Sequence, residues 1–230
     1  MLPLSDRPSE PALRIPWQTL LLGLMIAAAY AAQLGFGGGS PEPAAAWLGL
    51  TPRELWNGGG SGLLTYVFLN GGLAQTALAV VMTLVLATPF SRRMPGVIGF
   101  LALLGFFFLC GAAGGLVFAI LSPDSSDVLI GSSAAVSGLL AAAVRTAGGR
   151  RGVAPLTSPL LLAIGGIWLV ANAAAAFTDI LGRSAFSEYG WQAHIGGFLA
   201  GALLVGPWTR LFGERVQPFA SPPDLRDPDV

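Results

Sequence analysis

The chain has 230 residues, 53% hydrophobic and only 10% charged, against roughly 25% charged in soluble domains, so an ordinary soluble protein is excluded and a membrane protein is indicated. Net charge is zero and the twelve basic residues are all arginine, which gives no reason to expect a nucleic-acid partner. The lone Cys110 cannot form an internal disulfide or a metal cluster and reads as packing, so no metal and no cofactor are expected.

The first fifteen residues, MLPLSDRPSEPALRI, lack a basic segment running into a short apolar core, so they read as a tail and not as a cleaved signal peptide. A bilayer core of about 30 Å takes about 20 residues at about 1.5 Å each. Six apolar runs of that order follow, at 16–35, 63–90, 95–121, 128–144, 155–178 and 191–209. The expected fold is therefore all-α, a polytopic six-helix membrane bundle over 16–212 with a long interfacial loop after the first helix. Tails at 1–15 and 213–230 flank it, the second carrying Pro218, Pro222, Pro223 and Pro228. No internal repeat divides the membrane domain.

Between the first two spans lies GFGGGSPEPAAAWLGLTPRELWNGGGSG, set off by Gly37-Gly38-Gly39 and Gly58-Gly59-Gly60. Thr51-Pro52-Arg53-Glu54 has the form of a capping box with proline at the first helical position, and Trp47 and Trp56 suit a headgroup layer. A short helix in the outer interface is the expectation, with an unstructured loop as the alternative.

Arginines assign the sides. Arg7 and Arg14 precede the first span, Arg92 and Arg93 join the second to the third, Arg145, Arg150 and Arg151 follow the fourth, and Arg210 and Arg215 follow the sixth. Only Arg53 and Arg183 lie opposite, so both termini are expected in the cytoplasm.

The fourth span opens with Gly131-Ser132-Ser133 and is about 17 residues, or about 25 Å, short for a bilayer. Its head therefore lies below the surface, where a helix N-terminus offers unpaired N–H donors and partial positive charge to an oxyanion. His194, the chain's one histidine, opens the sixth span, which runs the same way. Counted from Arg145 and Arg210, Ser133 and His194 differ in depth by about 6 Å, which helix tilt can absorb. His194, Gly197 and Gly201 share one helical face, and Gly197 to Gly201 is a GxxxG for close helix approach.

A serine at one helix head and an imidazole on another suit an activated nucleophile with its general base. The plainer alternatives are a small-residue packing face whose serines bond their own helix, and a histidine bonded to a neighbouring carbonyl. Ser137 is assigned to packing beside the pair, and Asn172 in the fifth span to an interhelical hydrogen bond.

At these residues the chain resembles the rhomboid intramembrane serine proteases in their bacterial six-helix form. The family's Gly-x-Ser-Gly is matched by Gly131-Ser132-Ser133, with Ala134 in place of the last glycine and Gly138 as the small-residue continuation. His194 with Gly197 and Gly201 matches the sixth-helix pattern. The family's second-helix His-x-x-x-Asn, part of its oxyanion hole, is replaced by Gln75 and Ala79, and Asn70 stands where some relatives carry another histidine. The Trp-Arg pair of the first loop appears as Trp56-Asn57.

The resemblance implies an endopeptidase of the cell's inner membrane that cleaves transmembrane protein substrates within the lipid bilayer. Ser133 would be the nucleophile and His194 the general base, with the oxyanion on the Ser133 backbone N–H and Gln75. Gly131, Gly138, Gly197 and Gly201 would pack helices, and substrate would enter between the second and fifth spans. Asp124, Asp127, Asp179 and Glu188 belong to outer loops, so a dyad is expected, with Asp179 or Glu188 as an alternative orienter. Two rivals stand beside it. One is a pseudoprotease that binds transmembrane helices without cutting them. The other is a small transporter or channel, which would need a polar route through the inner halves LLAAAV and LAGALLVGPW.

Overall fold

The computed structural model describes residues 15–147, 152–180 and 190–213, so the expected tails fall almost wholly outside it. Nine helices are present among the described residues: α1 (Trp17–Phe36), α2 (Glu42–Leu48), α3 (Pro52–Trp56), α4 (Gly62–Thr65), α5 (Leu73–Ser91), α6 (Gly96–Leu121), α7 (Ser133–Thr146), α8 (Pro159–Ile180) and α9 (Trp191–Phe212). The one strand-like pairing among them is an isolated antiparallel bridge between Leu50 and Leu129. By length and composition α1, α5, α6 and α9 can each cross a membrane, and α7 and the Pro159–Ala174 part of α8 are shorter apolar stretches. The chain is an all-α polytopic membrane protein.

Three expected spans begin later than the hydropathy suggests, the fifth at Pro159 and not at 155, after a turn over Leu156 and Thr157. The second starts at Leu73 and not near 63, because Asn70-Gly71-Gly72 is a poor helix former and the apolar residues before it fold separately as α4 and a 3-10 turn over Tyr66–Phe68. Tyr66 and Val67 are buried there, and the Tyr66 hydroxyl donates to the Gly111 carbonyl of α6 at 2.6 Å. The fourth starts at Ser133 and not at 128, because Leu129 exchanges two backbone hydrogen bonds with Leu50 and Gly131 donates its N–H to the Tyr66 carbonyl. With 14 residues, α7 rises only about 21 Å.

The first loop contains the expected helix at Pro52–Trp56 with proline in its first turn, but the Thr51 hydroxyl does not cap it. It also contains α2, which the sequence reading did not separate. The Trp56 indole N–H donates to the Ala119 carbonyl at 3.2 Å, tying the loop to the end of α6.

Lipid tails are as apolar as leucine, so helices in a membrane associate through close packing and hydrogen bonds more than through hydrophobic exclusion. Glycines supply the closeness. A Cβ on Gly114 would lie 2.5 Å from the Ala193 carbonyl of α9 and 2.7 Å from the Ala134 Cβ of α7. On Gly138 it would meet Cys110 of α6 at 2.5 Å and the Gly197 carbonyl of α9 at 2.9 Å. On Gly197 and Gly201 it would collide with the carbonyls of Ala134 and Gly138. The central helices α6, α7 and α9 therefore touch backbone to backbone, with Leu103, Phe106, Phe107 and Leu139 filling what remains. At the far end from Ser133, Arg145 donates to the Ala154 carbonyl at 2.7 Å and to that of Ala202, and Arg93 to the Thr146 carbonyl at 2.8 Å. Of these carbonyls, that of Thr146 is at the C-terminal end of α7, where the partial charge is negative and a cation is favoured.

Candidate active site

The late start of α7 makes Ser133 its first helical residue, while His194 lies one turn into α9. With the α7–α9 backbones in contact, the two side chains meet: His194 Nε2 is 2.8 Å from Ser133 Oγ. The depth difference of about 6 Å counted along the chain is removed by the way the helices pack.

The other ring nitrogen, Nδ1, is 2.9 Å from Asn172 Oδ1 on α8. Asn172 Nδ2 donates to the Trp168 carbonyl at 2.8 Å, so its oxygen is the atom facing the ring. An amide oxygen only accepts, so the proton of neutral His194 resides on Nδ1 and Nε2 is left bare to accept from the serine hydroxyl. Trp168 lies beside the imidazole at a centroid distance of 6.1 Å. The arrangement is thus Ser–His–Asn. Sequence reasoning gave Asn172 an interhelical hydrogen bond, which it makes, and missed that the partner is His194. The signal was that Trp168 and Asn172 stand four apart on one face. The Asp179 side chain and Glu188 lie outside the described residues.

Gly131 has φ +122° and stands before α7, with Gln75 of α5 as the nearest neighbour to its missing Cβ outside its own segment. A Cβ there would lie 3.1 Å from Gln75 Nε2, 3.5 Å from Ser133 Oγ and 3.9 Å from the Ser133 backbone nitrogen. With no side chain at Gly131, the Gln75 amide and Ser133 face each other across open space. Gln75 Oε1 accepts the Gly71 N–H at 2.7 Å, which turns the NH₂ of the same amide toward the gap. Ala79 offers no polar atom, and Ser137 bonds back to the Ser133 carbonyl at 2.7 Å, as a packing residue would.

Ser133, His194 and Gln75 line a cavity of about 240 Å³. Its other walls are Leu78, Ala79, Met82 and Leu86 of α5, Val136 and Leu140 of α7, and Trp168 of α8. A wider cavity of about 700 Å³ lies beyond the Ser133 end of α7, lined by Gly71, Ile130 and Gln192 among others. Gly71 adjoins Asn70 and Ile130 stands two residues before Ser132, both of which line the smaller cavity. No group of three metal-ligating side chains is found among the described residues.

The sequence pattern of the Rhomboid domain family matches residues 52–210. The chain belongs to the rhomboid family. The match begins at α3 and runs to the last turn of α9, so it covers both Ser133 and His194. No curated protein matches this rhomboid chain. Rhomboid membership supports an intramembrane protease or pseudoprotease embedded in the bilayer.

Proposed function

We propose that this rhomboid is an active intramembrane serine endopeptidase that cleaves transmembrane protein substrates. The observation that carries the reading is the 2.8 Å contact of His194 Nε2 with Ser133 Oγ, with Nδ1 held by Asn172. His194 takes the Ser133 proton as Oγ bonds to the peptide carbonyl carbon, and the π pair moves onto the oxygen. That oxygen becomes an oxyanion beside the Ser133 N–H and the Gln75 NH₂, in the space Gly131 leaves. His194 then gives its proton to the leaving amine, and water, activated by the same imidazole, hydrolyses the acyl-enzyme.

A transmembrane substrate has to reach the pair from lipid. α5 and α8 both rest on α7 but scarcely on each other, and the dyad cavity lies between them. Leu78 and Met82 of α5, which line that cavity, are also exposed. A helix that unwinds readily could deliver a peptide bond through it, since helical peptide bonds are otherwise masked by their own hydrogen bonds. In this reading the arginine-bearing end faces the cytoplasm of a cell whose inner membrane holds residues 16–212, with 1–15 and 213–230 as cytoplasmic tails.

The test is cleavage of a reporter transmembrane substrate and labelling by a fluorophosphonate. Ser133→Ala and His194→Ala should each abolish both. Asn172→Ala should leave labelling but lower kcat about 2- to 150-fold, the span of a coupling of about 0.5–3 kcal/mol between contacting residues. The rival pseudoprotease, motivated by Gln75 and Ala79, predicts folded protein that neither cleaves nor takes the label.

A further inference from the structure

We propose that Asn70 supplies a second side-chain donor to the oxyanion, replacing from the turn before α5 the donor that Ala79 lacks within it. The inference rests on the proteolytic reading above.

Asn70 is wholly buried, yet neither Nδ2 nor Oδ1 of its side chain has a hydrogen-bond partner among the described residues. Buried amides in folded proteins are almost always bonded, so an orphaned one calls for a partner that arrives later. Its surroundings say where that partner sits. Asn70 lines the same cavity as Ser133, His194 and Gln75. Ser132 Oγ, also buried and without a partner among the described residues, lines that cavity too. The polar end of an otherwise apolar cavity thus holds several groups that protein leaves unsatisfied.

Asn70 is also held rigidly, as a preorganised donor has to be. Gln33 of α1, itself buried, accepts the Asn70 backbone N–H at 2.9 Å and donates to the Asn70 carbonyl at 3.2 Å. Both backbone groups of the residue are therefore fixed by a helix that itself contributes nothing to the cavity lining. One residue on, the Gly71 N–H holds Gln75 Oε1, so a single turn orients two carboxamides. An oxyanion in the gap beside Gly131 then receives the Ser133 backbone N–H, Gln75 Nε2 and Asn70 Nδ2. That is three donors without any contribution from position 79.

The experiment measures kcat and KM of wild type, Asn70→Asp and Asn70→Leu on a reporter transmembrane substrate, with Ser133→Ala as blank and thermal unfolding in detergent as control. Each variant keeps roughly the volume of the side chain and removes the donor. The expected result is a loss of about 10²–10³ in kcat with KM unchanged, the signature of an interaction made only in the transition state. Asn70→His, which restores an N–H, should recover part of the loss. A second measurement needs no variant: in wild type phosphonylated at Ser133, the phosphoryl oxygen should lie about 2.7–3.1 Å from Asn70 Nδ2. Ser133-dependent cleavage with wild-type kcat in both variants, a rise in KM alone, or a phosphoryl oxygen out of reach of Asn70 overturns this inference and leaves the protease standing. Wild type that shows no Ser133-dependent cleavage or labelling overturns the proteolytic reading and this inference with it.

Discussion

Between α7 and α9 the backbones touch, whereas between α5 and α8 there is a cavity and little else. On the first seam Gly138, Gly197 and Gly201 leave no room for even a methyl group, and each stands against a carbonyl of the facing helix. On the second, Leu78 and Met82 line the cavity and are still 59% and 41% exposed. The difference follows from what each seam positions. A nucleophile and its base need placement to within a fraction of an ångström, and backbone contact between two helices supplies it. An opening for a membrane-borne helix needs the opposite, surfaces that the bilayer covers when no substrate is present. α8 joins the two halves, since it borders the opening and also holds His194 through Asn172.

Filling the tight seam should have the largest effect. In Gly201→Val the new side chain meets the Gly138 backbone, which cannot swing aside as a side chain could. The cost should exceed the about 1–3 kcal/mol usual for overpacking, seen as lost thermal stability in detergent together with lost labelling of Ser133. Wild-type stability would show that the helices are not as close as the structure has them.

Gly131→Ala probes the site and not the seam. Its methyl would enter the gap between Gln75 Nε2 and Ser133 Oγ, at a residue whose φ of +122° already disfavours a side chain. A fall of about 10²–10³ in kcat is expected, comparable to losing an oxyanion donor, with a much smaller change in unfolding temperature than Gly201→Val gives. Equal losses of stability in the two variants would erase the distinction between packing and chemistry drawn here.

The smallest effect belongs to the open side. Leu78→Ala removes a largely exposed side chain at the cavity and should shift stability by no more than about 0.5 kcal/mol. The buried Leu139→Ala in α7 should cost about 2–5 kcal/mol in the same unfolding assay. If Leu78→Ala proved as costly, the gap between α5 and α8 would be a packed interface.

Much of this was legible along the chain. The apolar runs gave the six principal helices, and the arginines gathered their ends on one side. Ser133 and His194 stood out because hydroxyls and an imidazole are rare where lipid offers no hydrogen bonds, and the spacing of Gly197 and Gly201 marked the face on which they meet. These are local signals, written in length, composition and helical period.

Other features depended on tertiary structure. Asn172 as the partner of His194, the Gln75 NH₂ turned toward Ser133, the orphaned amide of Asn70 and the ten-residue delay of α5 all follow from how each helix is rotated and how far it slides against the next. Hydropathy does not encode that rotation, because in a membrane the face toward lipid and the face toward protein are equally apolar. α6 has no sidedness in its composition, yet it packs against α7 and α9 along one defined glycine-bearing face. Sequence by itself determined which segments enter the bilayer and which two reactive groups they carry. Only the packed bundle decided which neighbours orient those groups, since hydrogen-bond partners are chosen by distances of a few ångströms between helices far apart in the chain.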